Sequence, residues 1–245
     1  TIAGVADGDP LSQWDDISGN ENHALDWSGV PNPIFKTGQI NGQPIVRYSG
    51  SEGLRVPHDA TLSTGNVFTI FSVVDLAATT TGVTNIRTIL SKENNFKDRN
   101  YWLVHWDGEW RGRVSDNEAA RTVASDANSA TTPTTLSYQA NGTDLRMWVD
   151  DVEQSTVTAY TDIDNQTSPV GVGRQADDQR SWDGDLAEIL IFDTDLTSAN
   201  RAAVEDYLNL KWFGIGSGGT AKIEILNNLA LRDSGGNGTI DLFDK

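Results

Sequence analysis

The segment Asp183-Gly184-Asp185-Leu186-Ala187-Glu188 is the closest this chain comes to an acid–base pair. Two carboxyl groups that cleave a glycosidic bond must stand about 5 to 10 Å apart, a spacing that suits residues i and i+2 on one face of a strand. Asp185 and Glu188 are separated by an odd number, so a regular strand sends them to opposite faces. Asp183-Gly184 then reads as the turn into the strand, and Glu188 as a hydrogen-bonded polar residue at the sandwich edge. The histidines His23, His58 and His105 show neither His-Glu-x-x-His spacing nor a readable Ser/His/Asp set. His23 closes a Ser-Gly-Asn-x-Asn-His turn, where imidazole and amides lock a loop. With no cysteine, thiolate catalysis, disulfides and cysteine-ligated zinc are all excluded. No catalytic residue is assigned, and a non-enzymatic protein is expected.

The run Tyr101-Trp102-Leu103-Val104-His105-Trp106-Asp107-Gly108-Glu109-Trp110-Arg111 offers a different chemistry. On a strand Trp102, Val104 and Trp106 project to one side and Tyr101, Leu103 and His105 to the other, so one set can leave the core. Indole faces stack on the C–H faces of sugars while neighbouring Asp, Glu, Asn or Arg bond the hydroxyls. Trp102, Trp106 and Trp110 are therefore candidate ligand contacts, with Trp27 and Trp182 beside loops as secondary ones; the competing reading of all five is core packing. Trp14 and Trp212 read as core and helix-packing residues. Oxygen-rich loops supply candidate calcium ligands: Asp15, Asp16, Asn20 and Asn22 in the first turn, Asp150 and Asp151 in a hairpin, and Asp177, Asp178 and Asp183 near the last strand. Calcium takes about six to eight oxygens, so these loops would have to meet in space, and none matches an EF-hand.

The elements that must position these residues are mostly strands. Period-two segments bounded by Gly, Asn, Asp and Pro recur along the 245 residues, the pattern of a β-sandwich. Val67–Leu76 is the clearest: Phe68, Ile70, Val74 and Leu76 share one face, and Val67, Thr69, Phe71 and Val73 the other. Further strands are expected at 44–48, 87–91, 101–106, 110–115, 134–139, 145–149, 152–157, 169–173 and 186–192. Asp107-Gly108, Asn141-Gly142 and Asp150-Asp151 tolerate the positive φ of tight hairpins. One helix is expected, N-capped by Thr197, with Val204, Leu208 and Trp212 on one face beside Tyr207 and a stop at Gly214. After Gly214 come a flexible GIGSGGTA stretch and alternating segments at 222–226 and 239–243, read as a strand-rich extension or the start of another module.

The balance of 35 acidic against 18 basic side chains gives a formal charge of -17, which repels phosphate backbones and argues against nucleic acid. The acidic excess fits salt adaptation or simple solubility as well as it fits calcium sites. No apolar run approaches the length of a membrane span, and none of the opening residues reads as a leader. Because the chain begins at Thr1, an upstream segment is expected to have been removed or left out.

Three motifs carry a family resemblance: Asp7-Gly8-Asp9 through Trp14-Asp15-Asp16-Ile17-Ser18-Gly19-Asn20-Glu21-Asn22-His23, the Asn41-Gly42 segment running to Gly50, and the closing Gly184-Asp185-Leu186-Ala187-Glu188-Ile189-Leu190-Ile191-Phe192 with its helix. In these, residues 1–214 resemble the laminin-G-like, concanavalin A-like jelly rolls of bacterial and phage surface proteins. The resemblance implies an all-β, two-sheet antiparallel jelly-roll sandwich with one C-terminal amphipathic helix. It also implies an extracellular or surface-displayed recognition module, non-catalytic, binding glycan or another surface ligand. A virion or cell-surface protein in which the fold serves assembly or adhesion is the alternative, and a polysaccharide-active enzyme ranks third. The family's first strand should precede Ile2-Ala3-Gly4, so an unpaired sheet edge is expected. The C-terminal tail or a strand of a second copy in an oligomer would fill it.

Overall fold

A computed structural model describes residues 5–78, 85–94, 98–116, 119–124, 132–158, 160, 163, 167–175, 180–215, 231–232 and 241–242. In chain order its strands are β1 (Gln13–Trp14), β2 (Ala24–Asp26), β3 (Ile34–Ile40), β4 (Gln43–Ser49), β5 (Leu54–Val56), β6 (Val67–Leu76), β7 (Ile86–Asn94), β8 (Asp98–Trp106), β9 (Glu109–Asp116), β10 (Ala119–Ala124), β11 (Thr134–Asn141), β12 (Asp144–Val149), β13 (Val152–Thr158), β14 (Val170–Val172) and β15 (Asp183–Phe192). They form an eight-stranded sheet, β1-β2-β5-β14-β7-β8-β9-β10, and a seven-stranded sheet, β13-β12-β11-β6-β15-β4-β3. All pairings within both sheets are antiparallel. The expected two-layer antiparallel sandwich is what the chain forms.

The two faces of β6 separate as its alternation requires. Phe68, Ile70, Val74 and Leu76 enter the core between the sheets, with Tyr101 and Leu103 of β8, Trp110 and Val114 of β9 and Tyr138 of β11. Phe71 and Val73 point the other way, into a second apolar layer with Ile45, Ala187, Leu196, Val204, Leu208 and Trp212. That layer is the contact with helix α1 (Ser198–Leu208), which lies on the outer face of the seven-stranded sheet. Thr197 caps α1 by accepting from Asn200 N. A π-helical turn, Asn209–Phe213, follows and ends at Gly214, φ 67°, where left-handed backbone favours glycine.

Hairpin chemistry sets the register of the strands that matter most. Asp107 (φ 55°) and Gly108 (φ 82°) turn β8 into β9, so Trp106 faces Glu109, Val104 faces Arg111 and Trp102 faces Arg113. Asp150 (φ 48°) and Asp151 (φ 66°) do the same between β12 and β13. The edge of β3 is paired from the N-terminal side: Gly8 N donates to Phe35 O, Phe35 N to Asp9 O, and Leu11 N to Pro33 O. The described tail residues, Leu231–Arg232 and Asp241–Leu242, pair with one another; the expected segment 222–226 lies outside the described residues.

Gly112 fixes how closely β9 approaches the opposite sheet. A Cβ there would sit 2.5 Å from the Tyr138 ring, which packs in the core between the sheets. Gly112→Ala must displace that ring or the strand and is expected to destabilise the fold by about 1–3 kcal/mol, read as a lowered midpoint in urea or thermal unfolding.

Candidate functional site

The outer faces of the two sheets are finished differently. Helix α1 covers that of the seven-stranded sheet. Among the described residues no helix or strand lies over the outer face of the eight-stranded sheet, yet Ile86, Trp102 and Val104 are buried there with Trp106 packed beside them. Parity produces this placement: Tyr101 and Leu103 are taken by the core, so Trp102, Val104 and Trp106 must face outward. A bulge adds Arg99 to the set. Lys92 opposes Tyr101 while Glu93 opposes Arg99, so Asn100 is extra and Arg99 turns to the side of Trp102. Further across the sheet, Arg55, Gly171, Ser91, Trp102 and Arg113 oppose one another in a single row.

Guanidiniums cover the indoles. Arg99 lies 5.0 Å and Arg180 5.7 Å from the Trp102 ring, Arg111 lies 4.6 Å from the Trp106 ring, and Arg113 lies 5.3 Å from each. Such cation–aromatic contacts are favourable, more so when shielded from water. The indole N–H of Trp102 donates to Thr88 Oγ1, leaving the ring satisfied under its cover. Glu93 accepts from Arg99 at 2.6 Å and Glu109 from Arg111 at 2.7 Å. Arg180 donates to Gln175 Oε1 at 3.0 Å. Burial, and then the neighbouring Arg99, pull the pKa of Arg113 down to about 10 against the opposing pull of Glu93, with Arg111 and Arg180 adding to the depression; Arg113 is still a cation at neutral pH. Trp27 forms a smaller version nearby, 6.0 Å from Arg55 and 5.9 Å from Arg174.

The structure brings Trp102 and Trp106 together on this face, with Trp106 and Trp27 partly exposed and Trp102 fully covered. The expectation for Trp110 and Trp182 is corrected. Both are in the core, 1% and 0% exposed, and they stack on one another with centroids 6.1 Å apart. Trp110 sits on the inward parity of β9, and Trp182 directly precedes β15, so both indoles belong to the packing between the sheets. Trp14 packs against the core and Trp212 under the helix, as expected.

The reading of Asp185 and Glu188 as facing opposite sides is also corrected. A bulge between Leu186 and Glu188 sets Asp185 opposite Asp75 and Glu188 opposite Val73, which puts both carboxylates on the outer, helix-bearing face. Each is fully engaged. Asp185 takes a bidentate contact from Arg47, at 2.7 and 2.8 Å. Glu188 accepts from Tyr207 Oη, Lys211 Nζ and Trp212 Nε1, so it anchors the end of the helix to β15.

The candidate calcium residues have other partners. Asp16 accepts from Ser18 N, Ser18 Oγ and Asn22 N, and its own N–H donates to His23 Nδ1, so His23 does lock the loop. Asp15 accepts from Gln13, Asn22 donates to Thr61, and Asn20 N–H donates to Ser18 Oγ. Asp150 accepts from Thr135 N, Asp151 from Asn209, and Asp183 stands 3.7 Å from Arg87. Asp177 and Asp178 lie outside the described residues. Among the described residues no three His, Asp or Glu side chains converge as a metal site requires. The residues that sequence reasoning missed are Arg99, Arg111, Arg113 and Arg180. Two had a readable signal, because the Asp107-Gly108 turn alone sets Arg111 against Val104 and Arg113 against Trp102.

No protein-family model and no curated protein matches this chain. Solved structures do. Domain 4 of AbnA, an extracellular arabinanase from Geobacillus stearothermophilus in complex with arabinotriose, aligns with a TM-score of 0.51 at 14% identity over 78% of this chain and 96% of that one. The CBM40 of the Ruminococcus gnavus IT-sialidase, bound to alpha2,3 sialyllactose, aligns with a TM-score of 0.50 at 13% identity over 66% and 96%. The botulinum neurotoxin serotype G binding domain aligns with a TM-score of 0.54 at 10% identity over 80% of this chain and 50% of that one. At such identities the likeness defines the fold: a β-sandwich of the jelly-roll kind found in these domains.

His105 ties the stability of the fold to pH. It is fully buried on the inner parity of β8, edge-on to Trp110 at 4.9 Å, and burial, then Arg87 and Arg111, pull its pKa down from 6.5 to about 4. The unfolded chain therefore takes up the proton first as pH falls. The stability held above pH about 6.5 is lost progressively toward pH 4, by about 3 kcal/mol. His105→Phe is expected to flatten that part of the stability–pH curve, measured by denaturant unfolding at stepped pH.

Proposed function

We propose that this chain is a non-catalytic glycan-recognition module whose ligand rests on the outer face of the eight-stranded sheet, at Trp106 and the guanidiniums around it. The observation that carries this reading is the aromatic–guanidinium layer on a sheet face that no described helix or strand covers. Trp106 is the partly exposed member of that layer, and a flat indole edged by hydrogen-bond donors suits a sugar ring with its hydroxyls. The fold neighbours add support, since two of them were solved with a saccharide bound. An absence of catalysis agrees with the engagement of Asp185 by Arg47 and of Glu188 by the helix end. The setting that fits such a module is extracellular or surface-displayed.

Trp106→Ala removes the partly exposed indole without touching the core between the sheets. Glycan retention, measured by array and then by calorimetry, is expected to weaken about tenfold or more, with the circular dichroism spectrum unchanged. A folded variant that binds every glycan as tightly as the parent would overturn the reading.

A further inference from the structure

The guanidinium layer is more cationic than covering two indoles requires. Glu93 and Glu109 pair with Arg99 and Arg111, but among the described residues Arg113 forms no ion pair, and its buried Nε has no acceptor. Gln175 repeats the pattern: the residue is fully buried, its Oε1 is taken by Arg180, and among the described residues its Nε2 has no acceptor. Two buried donors of the same layer thus lack acceptors, a costly arrangement when left unmet. The crowding of Arg113 by Arg99, Arg111 and Arg180 is unfavourable to its charge. If Arg113 served only as a lid over Trp102 and Trp106, a neutral side chain of similar length would cover them without the repulsion. The formal charge of -17 does not forbid an anion here. At physiological salt, charges more than about 8 Å away are largely screened, so the guanidiniums in contact dominate.

We propose that Arg113, flanked by Arg111 and Arg180, binds the carboxylate or sulfate of an acidic saccharide whose ring lies against Trp106. The proposal rests on the glycan reading of the same face and narrows it to acidic sugars. A planar guanidinium matches a carboxylate or sulfate through paired N–H donors. The anion offsets the repulsion among the arginines, while the indole takes the ring.

The test uses the whole chain on an array carrying each saccharide in neutral, carboxylated and sulfated forms, with carboxyl-reduced versions of the carboxylated set. Acidic forms are expected to bind about tenfold or more tighter than their neutral counterparts, as one charge-assisted contact warrants. Carboxyl reduction should abolish that advantage, and the carboxylated and sulfated arms identify which anion the site takes. Arg113→Met, which keeps length over the indoles, should lose the acidic preference, so that acidic and neutral forms of a saccharide bind it within about twofold of one another. Equal binding of neutral and acidic forms, or a folded Arg113→Met that retains the preference, overturns the acidic-sugar proposal and leaves the glycan reading standing. Binding to no glycan of any kind removes both. The comparison of reduced with unreduced glycans on the unaltered protein decides the matter even if Arg113→Met does not fold.

Discussion

The inward packing of aromatic rings between the two sheets governs everything outside them. Phe68 stands edge-on to both Tyr101 and Tyr138, and Tyr138 fills the place that a side chain at Gly112 would occupy. Strand alternation then leaves no choice. With Tyr101 and Leu103 inside, Trp102 and Trp106 are outside; with Trp110 and Val114 inside, Arg111 and Arg113 are outside. The tryptophan–arginine face is the reverse side of the core.

Each outer face is closed by a different physical device. On the seven-stranded sheet a helix buries Phe71, Val73 and their neighbours, held at its end by Glu188 with Tyr207, Lys211 and Trp212. Ser137 and Arg201 converge on buried Glu205 from the sheet and the helix. On the eight-stranded sheet the cover among the described residues is charged side chains. Guanidiniums suit that role because they are planar, weakly hydrated and stack on indoles while keeping their edges available for hydrogen bonds. A helix shuts its face permanently, whereas a layer of side chains can exchange partners.

Bulges decide which polar groups meet. One between Lys92 and Glu93 delivers Arg99 to the tryptophan face, and one between Leu186 and Glu188 brings Asp185 and Glu188 to a common side. In the second case Arg47 and the helix end take up the two carboxylates. Like-charged neighbours remain at Asp75, whose carboxyl is pushed up by burial and by Asp185, against the opposing pull of Arg47.

Much of this was legible in the residues. Val67–Leu76 with its two faces, the hairpins at Asp107-Gly108 and Asp150-Asp151, the cap at Thr197 and the stop at Gly214 follow from alternation, turn chemistry and capping, which are local. The short strands β1, β2 and β5 were not legible, because two or three residues carry no measurable period, and neither were β3 and β10. Which tryptophans would be lost to the core was also undecided: Trp106 and Trp110 sit four residues apart with similar neighbours, and only the hairpin register and the opposing sheet separate them. Arg180 reaches Trp102 from a loop remote in sequence, and the bulges shift parity by one residue without a local signature. The sequence by itself determined the two-layer architecture and its helix, because those depend on periodicity within each segment. Only the tertiary structure decided which face carries the arginine-covered indoles, because that depends on which side of each strand the opposite sheet has already occupied.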